Sequence, residues 1–155
     1  MSDWTAPAFI DALVTAVAAR SGITALTPTV NIRTIWLPPE AGGSDEVMLY
    51  GATDINEPAA LGGGRYEETV TISGQIRIKR PGASETVAKA GRDRIAEILG
   101  EFDAQLRTGL PQVGDQTISG KLATRDLKAF ADIVDTTAAV ITITEFTIVY
   151  KSRTS

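Results

Sequence analysis

Residues 66–80, YEETVTISGQIRIKR, can bury a surface in only one way. Val70, Ile72, Gly74, Ile76 and Ile78 occupy every second position, and Glu67, Thr69, Thr71, Ser73, Gln75, Arg77 and Lys79 fill the positions between. A period of two belongs to a β-strand with one apolar face and one wet face. At about 3.3 Å per residue the stretch reaches roughly 50 Å. A domain of this chain length is only about 40 Å across. The strand is therefore expected to bend at Gly74 or to project past its own globule. A strand that overhangs its domain points to assembly rather than catalysis.

The chain has 155 residues, which fits one domain able to bury a core without covalent staples. It contains no cysteine and no histidine. Disulfides, thiolate nucleophiles, Ser-His-Asp triads and His- or Cys-based zinc sites are thereby excluded. Net charge is −4, and all of that excess lies in residues 1–65, which hold three bases and seven acids. A mildly acidic chain without a basic stripe is a poor grip for nucleic acid, although DNA can still pass it as a repelled polymer. The start, MSDWTAPAF, has no basic segment and no long apolar core, so no signal peptide is expected. The most apolar windows, 9–19 and 138–150, are too short or too interrupted by Thr and Glu to suggest a membrane span.

A first helix is expected over residues 7–20, capped by Thr5, with Pro7 in its first turn and Phe9, Ile10, Leu13, Val14 and Val17 on one stripe. Arg20 closes it and Gly22 stops it, while Trp4 either staples onto it in the core or stands exposed to meet a neighbour. Residues 30–37 read as a strand with Val30, Ile32 and Trp36 on one face, ended by Pro38-Pro39. Residues 46–53 read as a strand pairing back. Residues 54–65, with Pro58 and Gly62-Gly63-Gly64, read as a long flexible loop. After the long strand, Pro81-Gly82 turns and Ser84 caps a helix over 85–107, whose apolar stripe is Val87, Gly91, Ile95, Ile98, Leu99, Phe102 and Leu106. Glu85–Lys89 and Asp103–Arg107 make i,i+4 pairs on its wet side, and Gly91 lets the helix sit close on a sheet. Residues 116–123 form a short strand, and 127–134 fit either a strand or a helical turn. A closing strand spans 138–151. There the apolar parity flips from Ile141 and Ile143 to Phe146, Ile148 and Tyr150, so a bulge is expected near Thr144-Glu145. The fold class expected is α+β: a mostly antiparallel sheet with two helices packed on one face, in the order α-β-β-β-α-β-β.

No motif carries chemistry. Gly62-Gly63-Gly64-Arg65 opens a strand rather than a helix, so its amides are not aimed as in a phosphate loop. Glu67 and Glu68 point to opposite faces of one strand, and Asp126, Asp132 and Asp135 lack calcium-loop spacing. No catalytic, cofactor-binding or metal residue is assigned, and no cofactor is expected. The charged ends of the long strand fit either a solvated face that guards against aggregation or a salt-bridged contact between subunits. On the second reading the interface candidates are Arg65, Glu67, Glu68, Arg77, Lys79 and Arg80.

In architecture the chain resembles the tail terminator (tail completion) proteins of long-tailed bacteriophages. The segments that carry the resemblance are an N-terminal helix, FIDALVTAVAARSG, a strand-rich middle with a long loop at 54–65, the strand ETVTISGQIRIKR running into the helix AGRDRIAEILGEFDAQL, and the closing strand ITITEFTIVYKSR. The resemblance implies a non-enzymatic protein of the virion tail or neck, made in the host cytoplasm. It implies a homo-oligomeric ring, a hexamer in this family, that caps the tail tube and joins it to the head–tail connector while DNA passes through unbound. On that reading the lumen candidates are Glu40, Asp45, Glu46, Asp54 and Glu57. Other readings are a different neck, head–tail joining or tail-tube component, and a small-ligand module with a pocket beneath the long helix, where Gly91 would supply the gap. An enzyme working with carboxylates alone needs only two Asp or Glu side chains, and nothing in the sequence favours one.

Overall fold

The computed structural model describes residues 4–38, 42–58, 66–109, 117–134 and 137–153. Its elements run α1 (Ala6–Ala18), α2 (Ser21–Thr24), β1 (Asn31–Arg33), β2 (Asp45–Pro58), β3 (Tyr66–Pro81), α3 (Glu85–Thr108), β4 (Thr117–Val134) and β5 (Thr137–Arg153). The strands form one sheet in the order β1-β2-β3-β5-β4. β1 runs parallel to β2, and every other pairing is antiparallel. The fold is α+β as expected, with α2 added to the anticipated order.

The alternating stretch is the middle strand, β3, and it does not overhang. β2 pairs with it from Tyr66 to Ile78, and β5 pairs with it from Glu67 to Pro81. Its length is matched by its neighbours β2 and β5, which have 14 and 17 residues. Val70, Ile72, Ile76 and Ile78 are fully buried, in one cluster with Phe9, Leu13 and Val17 of α1 and Ile95, Ile98 and Phe102 of α3. Both helices therefore cover the same face of the sheet.

Gly74 does not break β3. The pairing with β5 continues through Gly74↔Phe146, and the Phe146 ring lies on the glycine backbone, where a Cβ would come within 2.5 Å of it. Phe102 then tilts onto Phe146 at 5.8 Å. The irregularities sit in the flanking strands instead. β2 shifts register between Leu49 and Gly51, opposite Gly74 and Ser73. β4 shifts between Thr124 and Asp126, opposite Phe146 and Glu145. Both shifts thus fall at the level of the Gly74–Phe146 pair, and a bulge bends and twists the strand that carries it.

The bulge expected at Thr144-Glu145 is accordingly absent from β5 and present in its partner β4. The apolar parity flips without a backbone shift because the helix face is held at Thr142 and Thr144, both buried. Thr142 lies under Gly91, where a Cβ would come within 2.5 Å of its hydroxyl oxygen. This close approach of α3 leaves room for a small polar side chain rather than an isoleucine.

Other boundaries moved for local reasons. Thr5 occupies the N-cap position of α1 but makes no capping bond, since its hydroxyl is engaged elsewhere. α1 ends at Ala18, and Arg20 and Gly22 belong to the start of α2 rather than to a plain stop. Arg20 reaches Glu101 at 2.6 Å and Gln105 at 3.0 Å, tying this corner to α3. β1 is only three residues long because the chain then crosses the outer face of the sheet. There the Leu37 amide donates to Met48 Sδ at 3.3 Å. β2 runs parallel to β1 rather than back along it, and it takes in residues 54–58 of the expected loop. The remainder of that loop, 59–65, lies outside the described residues. The segments 116–123 and 127–134 merge into the single strand β4, with residue 116 outside the described residues.

The expected cap, bounds and second ion pair of α3 hold. Ser84 accepts from the Val87 amide at 3.3 Å, and Asp103 pairs with Arg107 at 2.8 Å. The expected Glu85–Lys89 pair is replaced by Lys89 with Asp93, at 2.7 Å one turn further on. Gly82, at φ +95°, makes the turn from β3 into the helix, a conformation that costs glycine little.

Candidate assembly interface

Besides the short outer edge of β1, two long stretches of strand edge are open among the described residues. β1 covers β2 only at Glu46, Val47 and Met48, so β2 is open on that side from Leu49 to Pro58. β4 pairs with β5 on one side alone and is open along its whole length on the other. An open edge presents unpaired N–H and C=O groups at every second residue, and proteins normally shorten or cover such edges.

The open edge of β2 is flanked by apolar surface. Among the described residues the large hydrophobics that stand exposed are Trp4 (59 %), Ile35 (59 %), Trp36 (49 %), Tyr50 (41 %) and Ile55 (62 %). Tyr50 is the bulged residue of β2, and Ile55 lies on its outward row. Trp4 and Tyr50 line a groove of about 270 Å³ with Ile10, Thr34, Leu49 and Ala52. Ile35 and Trp36 follow directly on Thr34. Trp4 is therefore exposed rather than stapled into the core. Single exposed apolar residues are ordinary, but Trp4 and Tyr50 share one groove beside the open edge and Ile55 stands further along the same strand, which marks a contact surface.

The charged residues singled out in the sequence divide into internal and external sets. Asp45 and Glu46 have no exposed surface, which corrects their assignment as lumen lining. Asp45 accepts from Arg80, with Arg94 at 3.6 Å, and so joins β2, the end of β3 and α3. Glu46 accepts from Arg33 at 2.8 Å and Asn31 at 3.3 Å and also holds the Gly43 amide, fixing β1 and the turn before β2. The hydrogen bond and the charge of Glu46 together raise the Arg33 pKa. Asp54 is exposed, Glu57 stands at the far end of β2, and Glu40 lies outside the described residues.

Among the interface candidates, Arg80 belongs to the Asp45 cluster, and Glu68 and Arg77 are each 4 % exposed, so these three hold the subunit together internally. Arg77 is buried by the crossing segment. It donates to the Leu37 carbonyl at 3.0 Å and to Gln75 at 3.0 Å, and its guanidinium lies 5.7 Å from the Trp36 ring. Lys79 is exposed, and Glu67, on the outer face, pairs with Lys151 at 3.3 Å. Arg65 lies outside the described residues.

Glu68 anchors the start of α1. Its Oε1 accepts from the Thr5 hydroxyl, and with that proton committed the Tyr150 phenol donates to Thr5 Oγ1 at 2.7 Å. Phe9 stacks on Tyr150 at 3.9 Å. Burial, foremost, and the nearby Glu68 and Asp54 charges push the Tyr150 pKa up to about 12, against a lowering by the Thr5 hydrogen bond. This network was legible by parity, because Glu68 falls on the same alternate positions as Val70 and Ile72. Arg80 likewise shares the parity of Ile78. The cover over Arg77 had no such signal, since the alternation of Val30, Ile32 and Trp36 reads as a continued strand rather than as a segment crossing the sheet.

The chain matches no known family model and no curated protein. Among the described residues no three His, Cys, Asp or Glu side chains gather as a metal site would require, and no helix is long and apolar enough to cross a membrane. Nor does Gly91 open a pocket beneath α3, because Thr142 fills the space. The arrangement is suited to contact, with extended edges, an apolar margin and charges largely committed within the subunit.

Proposed function

We propose that this chain is a structural subunit of a phage-type tail, a tail terminator whose homo-oligomeric ring caps the tail tube and meets the head–tail connector. The observation that carries the reading is a sheet of unusually long strands with open edges on two sides, in a chain without histidine or cysteine. The α+β class and, α2 apart, the order of helices and strands are those expected from the sequence. A ring requires each subunit to offer two different contact surfaces, and the two edges are different surfaces. The modest acidity supports a channel through which DNA slides without being held. The same features fit another neck or tail-tube component of the particle.

Solution mass, negative-stain imaging and sedimentation with purified tail tubes test the reading together. Rings, or subunits bound at tube ends, are expected. A chain that stays monomeric at high concentration and also ignores tail tubes would sink it.

A further inference from the structure

We infer that the open edge of β4 in one subunit pairs antiparallel with the open edge of β2 in the next, so that the sheet continues from copy to copy. The inference deepens the ring reading and rests on it for closure of the series.

Strand direction sets the sense of the pairing. β2 and β5 run one way and β3 and β4 the other, since each neighbouring pair from β2 to β4 is antiparallel. A rotation axis roughly along the strands therefore sets β2 of the following copy antiparallel to β4, the stronger of the two pairing modes. β1 runs with β2, so its short edge suits the same partner.

Charge and surface agree with this partner. The open part of β2 carries Asp54 and Glu57 and no base, whereas β4 carries Lys121, Arg125 and Lys128 against Asp126 and Asp132, and an axial shift of four residues sets Glu57 level with Lys121 on the same face of the sheet. Opposite charges across a strand pair favour it, and two copies of the β2 edge would repel. The apolar margin beside β2 gives the joint something to bury besides backbone. Without axial shift, Ile55 stands level with Ser119, since both align with Thr69 and Lys151 across the sheet. Closing a sheet into a ring staggers its strands, so the true partner lies within a few residues of that level.

The absence of cysteine allows a direct test. Ile55→Cys is combined in the full-length chain with Ser119→Cys, Lys121→Cys, Ala123→Cys, Asp126→Cys or Lys128→Cys, each double variant is mildly oxidised at high concentration, and products are separated without reductant. A disulfide needs Cα atoms within about 7 Å. Within one chain β2 and β4 stand three strand spacings apart, about 14 Å, which bars the internal bond. One register, or two adjacent ones, should convert most of the protein into a ladder of covalent oligomers ending at the ring. The single-cysteine controls should stop at dimers. Rings whose subunits do not crosslink at any register would overturn edge pairing while leaving the ring reading intact. Ladders that grow into open fibres would keep the pairing and refute the ring. A chain that neither crosslinks nor oligomerises overturns the inference outright.

Discussion

At the residue scale, the polar groups that stand out in the sequence are mostly structural. Asp45 is the clearest case, a fully buried carboxylate holding two arginines from two elements. Asp45→Ala would leave both guanidiniums without their counter-charge, and removal of one partner from a buried pair costs about 3–5 kcal/mol. Urea unfolding should show that loss, whereas Asp54→Ala, at an exposed position, should change stability by less than about 0.5 kcal/mol. Tyr150 adds a pH dependence. Its phenol, ordinarily near 10, is raised to about 12 in the fold, so the native state favours the protonated form. The contribution is complete below pH 10 and is lost as pH climbs from 10 through 12, by at most roughly 2–3 kcal/mol. Absorbance at 295 nm should show one of the three tyrosines ionising last, together with unfolding. Tyr150→Phe should flatten the fall in urea midpoint over that range.

At the scale of elements, what the sequence disclosed depended on periodicity. β3 and α3 were readable because each repeats its apolar residues for several turns or pleats, and their bounds differ from expectation by about one residue. β4 was not, because the bulge at Thr124/Asp126 resets the period midway and makes one strand look like two fragments. β2 was cut short for the same reason: its register shifts after Leu49, and the stretch beyond, from Tyr50 to Pro58, faces no described strand on its outer edge, so no strong pattern was imposed on it. α3 offers a contrast within one helix. Gly100 has nothing within 4 Å of where a Cβ would sit, and Gly91 has the Thr142 hydroxyl at 2.5 Å. Gly100→Ala should stabilise by up to about 1 kcal/mol through helix propensity alone. Gly91→Ala gains the same propensity but must push the helix off the sheet, an overpacking cost of about 1–3 kcal/mol, so it should be neutral or destabilising. Thermal unfolding of the two single variants decides the sign for each.

At the scale of the whole molecule, the candidate surface was less legible than the fold. The alternation in β3 suggested assembly through an overhang, but β3 is the most enclosed strand of the sheet. The exposure has moved outward to β2 and β4, whose open edges are a property of strand order and cannot be read from either segment alone. The connection between β2 and β3 tests how far the contact surface extends. Pro58 and Tyr66 are paired partners, with residues 59–65 between them. Two residues suffice to join antiparallel strands, and a Gly-X pair favours the required turn. Deleting 59–63 leaves Gly64-Arg65 in that role. Loop-closure entropy changes slowly with length, so stability of the subunit should shift by no more than about 1 kcal/mol in urea unfolding. Assembly should respond differently. Residues 59–65 follow directly in the chain on the open stretch of β2, so a subunit shortened there should lose ring formation or tube binding while remaining folded. If rings form as readily as in the full-length chain, the loop makes no contact between copies, and the strand edges and their apolar margin suffice.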